Sequence, residues 1–285
     1  MVDQALADQF GEELGFGGYG GVFNVGDHEL VMTCDGVGTK LHIANYLNKL
    51  DTIGIDLVAM CANDLICMGA TPIGFMDYYA CDKLELERSH EIIKGVLEGC
   101  RQAGCELMGG ETAQLSNLFR TDDQFDLAGF MVGEKRGVFD ESPIQAGDVL
   151  VGLHSSGMHS NGFTTIRDFY MPIEWREWML APTEIYVNSI LHNMHDIKSC
   201  AHITGGGLAG NIPRAIPASS NLTFKLDIEI DPFWEVLGKS CNIGRGEMMT
   251  IFNCGYGMVL VMEPSKLEYC EFYECHDVIG EIVEG

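Results

Sequence analysis

Positive charge is scarce in this chain. Lys and Arg number 17 against 42 Asp and Glu, a formal net charge of -25. Nucleic acid rewards a basic footprint, so no nucleic-acid partner is expected. Any polyphosphate site in so acidic a chain needs its field reversed locally by a cation, a lysine or aligned amides. No apolar run reaches the length of a membrane-spanning helix, so no membrane association is expected. Met1-Val2-Asp3-Gln4 has no basic region leading into an apolar run, and no signal peptide is expected. C-x-x-C is absent among the 11 cysteines. Cys100/Cys105 and Cys270/Cys275 share a five-residue step without a matching His cluster, which argues against structural zinc. Reduced thiols and a cytoplasmic location are expected. The Walker A spacing G-x-x-x-x-G-K-[ST] is also missing.

What is present suits an α/β enzyme. Of 285 residues, 46% are hydrophobic and 21% charged, enough for two packed domains rather than disorder. Between Glu134 and Gly147 the chain turns polar, with Gly137, Pro143 and Gly147. A boundary is placed there, giving domains 1–137 and 138–285. No internal repeat is evident.

The first candidate site is Asp35-Gly36-Val37-Gly38-Thr39-Lys40. It follows the apolar run Leu30–Cys34, read as a strand, and precedes Leu41–Tyr46, read as the start of a helix. Gly36 and Gly38 allow backbone N–H groups to approach an anion, and a helix start favours negative charge. Thr39 adds a hydroxyl, Lys40 a positive charge, and Asp35 can hold a divalent cation through oxygen. A turn with a capping Asp is the bland alternative.

Ile53–Gly69 is apolar almost all round, which predicts a buried helix. Asp56, Asn63 and Asp64 interrupt it. A buried charge is costly unless paired or metal-bound, so metal or phosphate work is the expectation for Asp64, with capping or hydrogen bonding to neighbouring backbone as the bland alternative for all three. Glu106–Met108 reads as a short strand ending in the turn Gly109-Gly110-Glu111-Thr112. Strand ends are where α/β folds place ligand chemistry. Gly15–Gly21, five glycines among aromatics, reads as a flap over a ligand. Val22–Cys34 reads as a hairpin turning at Gly26-Asp27. Further strands are expected at 73–80, 125–133, 148–153, 259–262 and 278–283. Helices are expected at 84–104, 163–170, 184–194 and 233–241. His154–Gly162, rich in Ser, His and Asn before a helix, suits a phosphate or sugar. Thr204-Gly205-Gly206-Gly207 is a second glycine loop.

Taken in order, these motifs resemble aminoimidazole ribonucleotide (AIR) synthetases, the phosphoribosylformylglycinamidine cyclo-ligases. Asp35–Lys40 matches D-G-V-G-T-K, and Gly54–Met60 with Asn63-Asp64 matches G-I-D-L-V-A-M-x-x-N-D. Asp77–Ala80, Gly109–Thr112, His159–Gly162, Ala181–Thr183, Thr204–Gly207 and Phe252–Gly255 match as well. The resemblance runs from about Gly15 onward. Departures are a short lead before the glycine flap, Gly246 where some members carry His, and Thr250 where Arg is frequent.

The resemblance implies an α/β (α+β) fold of two domains. Its N-terminal mixed sheet pairs across a homodimer, and its C-terminal domain is sandwich-like. It implies ATP-dependent cyclisation of formylglycinamidine ribonucleotide (FGAM) to AIR, ADP and phosphate through an iminophosphate. ATP and Mg²⁺ are the implied cofactors. Asp35, Asp64 and Glu111 would hold the metal, and Lys40 would neutralise the phosphates. Gly36, Gly38, Thr39, Asn63, Gly109, Gly110 and Thr112 would help hold the nucleotide. Ser155, Ser156, His159, Ser160, Asn161, Thr183 and Asn253 would face FGAM, with Gly205, Gly206 and Gly207 near its phosphate. Lys40, Asp64 and His159 are the implied catalytic residues. Alternatives within the superfamily are a selenophosphate synthetase, a thiamine-monophosphate kinase, or an inactive nucleotide-binding relative. The first needs a reactive Cys near the N-terminus, and residues 1–33 contain none.

Overall fold

Alternation along the first third of the chain builds a sheet with two unlike faces. In a computed structural model, residues 18–121, 123–136, 139–140, 142–166 and 173–285 are described. Residues 15–17 of the glycine flap and residues 167–170 of the expected helix at 163–170 lie outside them. Strands β1 (Gly21–Val25) and β2 (His28–Gly36) form the expected hairpin, with Gly26 at φ 60° in its turn. Helix α1 (Lys40–Tyr46) follows, then α2 (Ile53–Cys67), β3 (Thr71–Cys81), α3 (Leu86–Ala103), β4 (Glu106–Gln114) and β5 (Phe125–Glu134). The strand order is β1-β2-β5-β3-β4. Only β3 and β4 run parallel, joined through α3, so the sheet is mixed.

Burial alternates along β3 and β5, as a pleated surface with one covered face requires. Phe75, Tyr79, Leu127 and Met131 face inward; Met76, Tyr78 and Phe130 face outward. Helix α2 covers the inner face and is buried over most of its length, as its composition predicts. Each large aliphatic side chain it hides, such as Leu57 or Leu65, contributes about 1.5–3 kcal/mol. Its approach to α3 is set at Gly54, where a Cβ would sit 2.3 Å from the Ile92 carbonyl oxygen. Any side chain there would force the two helices apart.

The second half forms an antiparallel sheet from β6 (Val149–His154), β7 (Ile197–His202), β8 (Leu222–Leu226), β9 (Tyr256–Met262) and β10 (His276–Glu284). Its order is β7-β9-β6-β10-β8. Around it lie α4 (Phe163–Ile166), α5 (Ile173–Met179), α6 (Val187–Asn193), α7 (Gly207–Asn211), α8 (Pro232–Cys241) and α9 (Arg245–Ile251). The helix expected from residue 184 begins only at Val187. Helix α2 also packs against β7 and α6, so the two halves share it as a wall.

The motif Gly109–Thr112 differs from expectation. It is no turn: it continues β4, paired in register with Met76–Tyr79 of β3. Gly109 at φ 148° and a register shift at Phe75/Met76 let the strand run through the glycines.

Candidate active site

The corner after β2 is organised by what lies under it. Lys40 opens α1, but its side chain turns into the protein and is fully buried. Its Nζ lies 2.9 Å from both Asp56 carboxylate oxygens and donates to the Ala181 carbonyl at 2.7 Å. Asp56 also accepts from the Thr183 N–H at 2.7 Å, the Thr183 hydroxyl at 2.6 Å and Ser160 at 3.3 Å. Burial pulls the Lys40 ammonium down from its usual range, and the Asp56 charge opposes that. Lys40, expected at the phosphates, and Ser160 and Thr183, expected at the substrate, here turn toward Asp56. All three satisfy one buried carboxylate where the halves meet, because an unpaired charge there would be prohibitive. Gly38, at φ 69° with open space where a Cβ would stand, remains the exposed part of the corner. Thr39 meets Thr164 across the interface, hydroxyl to hydroxyl, at 2.9 Å. A cleft of about 300 Å³ opens beside the corner, lined in part by Gly38, Thr39, His42, Phe119 and Asp126.

Two carboxylates flank this corner on the inner side. Asp35 ends the covered face of β2, and its own Oδ1 accepts from the Gly36 N–H at 2.7 Å. Burial raises the Asp35 carboxyl above the usual range, and the charge of Asp64 pushes it further the same way. Asp64, near the end of α2, is held from the other half: His202 Nδ1 lies 2.8 Å from its Oδ1. Asn63 is fully buried and spans the same boundary. Its Nδ2 donates to the Glu184 carbonyl at 2.8 Å, and its Oδ1 accepts from the Tyr186 N–H at 3.0 Å. Asn63, expected at the nucleotide, here docks backbone of the second half. His202 is the residue that sequence reasoning missed. An imidazole closing a strand before a glycine loop was the available signal.

Glu111 stands apart. Register aligns Asp35, Gly129, Asp77 and Gly110 in one row across β2, β5, β3 and β4, and Gly36, Ala128, Tyr78 and Glu111 in the next. A Cβ on Gly110 would sit 2.3 Å from Asp77 Oδ1, so that row points inward. Glu111 shares the outward row with Tyr78 and lies about 14 Å from Asp35, three strand spacings. Among the described residues no group of three or more His, Cys, Asp or Glu side chains could hold a metal. Of the expected trio, Asp35 and Asp64 are neighbours and Glu111 is set apart from them on the outward row. Two neighbouring carboxylates, one destabilised by the other, fit a hard cation such as Mg²⁺ that takes one or two carboxylates and completes its shell with phosphate and water.

The loop after β6 is internally braced. Ser156 donates to the Pro182 carbonyl through its hydroxyl. Ser155 lies 3.5 Å from Asn253 Oδ1, and Asn253 Nδ2 donates to the Gly157 carbonyl at 2.9 Å. His159, at φ 57°, is almost fully buried, and its Nε2 accepts from the N–H groups of Ser156 at 3.3 Å and Glu184 at 3.4 Å. Burial, then the charges of Lys40 and His202, push its pKa well below the usual imidazole value. It is thus an enclosed acceptor through Nε2, with its Nδ1 left without a partner. Asn161 likewise has a buried nitrogen without a partner, Nδ2, and its Oδ1 lies 3.6 Å from where a Gly205 side chain would begin. Gly205 and Gly206 are exposed, Gly206 at φ 101°. Gly207, at φ 59°, is buried where a Cβ would meet the Met249 carbonyl oxygen at 2.3 Å. An unpaired donor beside an open glycine loop suits an oxygen-rich anion.

Comparison with known proteins agrees with this architecture. Residues 17–134 match the profile of the AIR synthase related protein, N-terminal domain, and residues 145–285 that of the C-terminal domain. A phosphoribosylformylglycinamidine cyclo-ligase of Caldanaerobacter subterraneus subsp. tengcongensis is 43% identical over 95% of this chain and 88% of its own length. One of Citrifermentans bemidjiense is 43% identical over 94% of this chain and 85% of its own. Among solved structures, thiamine monophosphate kinase from Aquifex aeolicus superposes with a TM-score of 0.71 at 16% identity, covering 100% of this chain and 96% of that one. That likeness is one of fold. With both domain profiles matched in order, and with relatives this similar along nearly the whole length, the chain belongs to the AIR synthase family.

Proposed function

We propose that this chain is an ATP-dependent cyclo-ligase that converts FGAM to AIR, releasing ADP and phosphate, in purine biosynthesis. The observation that carries the reading is β7. Its last residue, His202, holds the Asp64 carboxylate at 2.8 Å, and the glycine loop 204–207 follows directly. A nucleotide-type corner and a substrate-type loop therefore meet at one domain boundary. Identity of 43% to named cyclo-ligases over nearly the whole chain supports the same reading.

The chemistry follows from a poor leaving group. The formyl amide oxygen of FGAM departs only after phosphorylation by ATP. The amidine nitrogen then attacks that carbon, phosphate leaves and the ring closes. Holding both ends of one molecule makes the closure effectively unimolecular. Phosphoryl transfer needs positioning and charge neutralisation more than covalent help. Asp35 and Asp64 would hold Mg²⁺, which supplies neutralisation of the polyphosphate charge when bound. Gly38, exposed at the corner, presents its backbone amide to the nucleotide. Asn161 and Gly205–Gly207 anchor the ribose phosphate of FGAM, and the braced 155–157 segment shapes the wall beside it.

The outward face of the first sheet carries exposed Met32, Ile73, Met76, Tyr78, Met108 and Phe130. So many apolar side chains on one face suit a covered surface. We assign it to a second copy, forming a homodimer that includes Glu111 in the interface. A cytoplasmic location fits a chain in which no described helix is long and apolar enough to cross a membrane. Incubation with FGAM, ATP and Mg²⁺, followed by chromatographic detection of AIR and ADP, tests the activity. AIR formed only when all three are present is the expected result. ATP consumption without AIR would contradict it.

A further inference from the structure

Three side chains, Asn63, His202 and Asp64, run in a line from the second domain's backbone to the nucleotide corner. The amide orientation of Asn63 is fixed by its partners: Nδ2 faces the Glu184 carbonyl and Oδ1 faces the Tyr186 N–H. Its second amide hydrogen is left for His202 Nε2, 3.4 Å away. That nitrogen must then accept, so in the neutral ring the proton sits on Nδ1. Nδ1 in turn faces Asp64 Oδ1 at 2.8 Å. His202 is 1% exposed, so water does not compete for either nitrogen.

We infer that His202 is a positioning residue for the nucleotide site. Its Nδ1–H holds one oxygen of Asp64 and leaves the other available to a cation that would neutralise phosphate charge when bound. Asn63 sets the tautomer that makes this possible, and Asn63 is itself set by the docked segment Glu184–Tyr186. The docking of the second domain on α2 and the orientation of the nucleotide carboxylate are thus linked through one set of contacts. This rests on the cyclo-ligase reading. Histidine–carboxylate pairs around metals act in the same way, orienting ligands they never replace.

Two near-isosteric variants separate the two bonds. His202→Asn places an amide nitrogen where Nδ1 was, keeping the bond to Asp64 and losing the one to Asn63. His202→Gln reaches Asn63 and loses the donor to Asp64. ADP binding to each full-length variant is measured calorimetrically with Mg²⁺ and with chelator, alongside KM for FGAM and a thermal melt. In His202→Gln the Mg²⁺-dependent gain in ADP affinity should fall by about 10–100-fold, the usual effect of losing such a partner. Affinity in chelator and KM for FGAM should stay unchanged. His202→Asn should retain most of the gain. A full gain in His202→Gln, or equal losses in both variants, would overturn the positioning role while leaving the activity assigned. Absence of any Mg²⁺-dependent ADP binding in the parent protein would overturn both.

Discussion

The Lys40 ammonium stands 2.9 Å from the Asp56 carboxylate with neither side chain exposed. The corner that reads in sequence as a phosphate site with a free lysine is therefore supported by a lysine that belongs to the core. Lys40→Met should lower stability by about 3–5 kcal/mol, because Asp56 is left buried and charged. Adding Asp56→Asn should recover part of that loss. Urea unfolding of both variants checks it. A Lys40→Met protein of parental stability and weakened ATP binding would return the lysine to the phosphates.

Thr183 donates twice to the same carboxylate, through its N–H and its hydroxyl. Thr183→Val keeps the shape and removes the hydroxyl. Stability should drop by about 1–3 kcal/mol, the penalty for an under-satisfied buried acceptor. KM for FGAM should not change. A raised KM at unchanged stability would place Thr183 against the substrate.

How far the molecule was legible in its sequence follows from which signals are local. Period-two and all-apolar runs located β2, β3, β5, β6, β9 and α2, since backbone geometry ties those patterns to pleat and burial. Strand β8, Leu222–Leu226, and the strand β7 that carries His202 went unread: one is short and half-buried, the other interrupted by Lys198 and Ser199. Asp35, Asp64, Asn161 and the glycine loop were visible as residue types out of place. Their partners were not. That Asp56 takes Lys40, Ser160 and Thr183, or that Glu111 points away from Asp35, depends on pairings between residues far apart in sequence. Only strand register and domain docking decide those.

His159 should be visible in the pH dependence of stability. Its native pKa lies well below the ordinary imidazole value of 6.5, so between those two points the unfolded chain binds a proton that the native one does not. Stability is then fully present above pH 6.5 and falls as pH drops, by up to about 1.4 kcal/mol per unit from this group. His159→Asn suits the left-handed backbone at φ 57° and should flatten that acid limb in denaturant titrations from pH 7 to 5. An unchanged slope would mean the imidazole titrates normally.

The outward sheet face offers a separate test. Met76 is 50% exposed and shares a row with Cys34 and Phe130. Met76→Glu places a charge in the centre of the proposed dimer contact. Sedimentation should give a dimer for the parent and a monomer for the variant. A monomeric parent would remove the second copy from the account.

The central claim is that ATP activates the formyl amide oxygen of FGAM before ring closure. FGAM labelled with ¹⁸O at that oxygen is turned over with ATP and Mg²⁺, and the products are resolved by mass spectrometry. The account predicts the label in inorganic phosphate, with unlabelled ADP and a matched yield of AIR. Label released as water, with phosphate unlabelled, would contradict it.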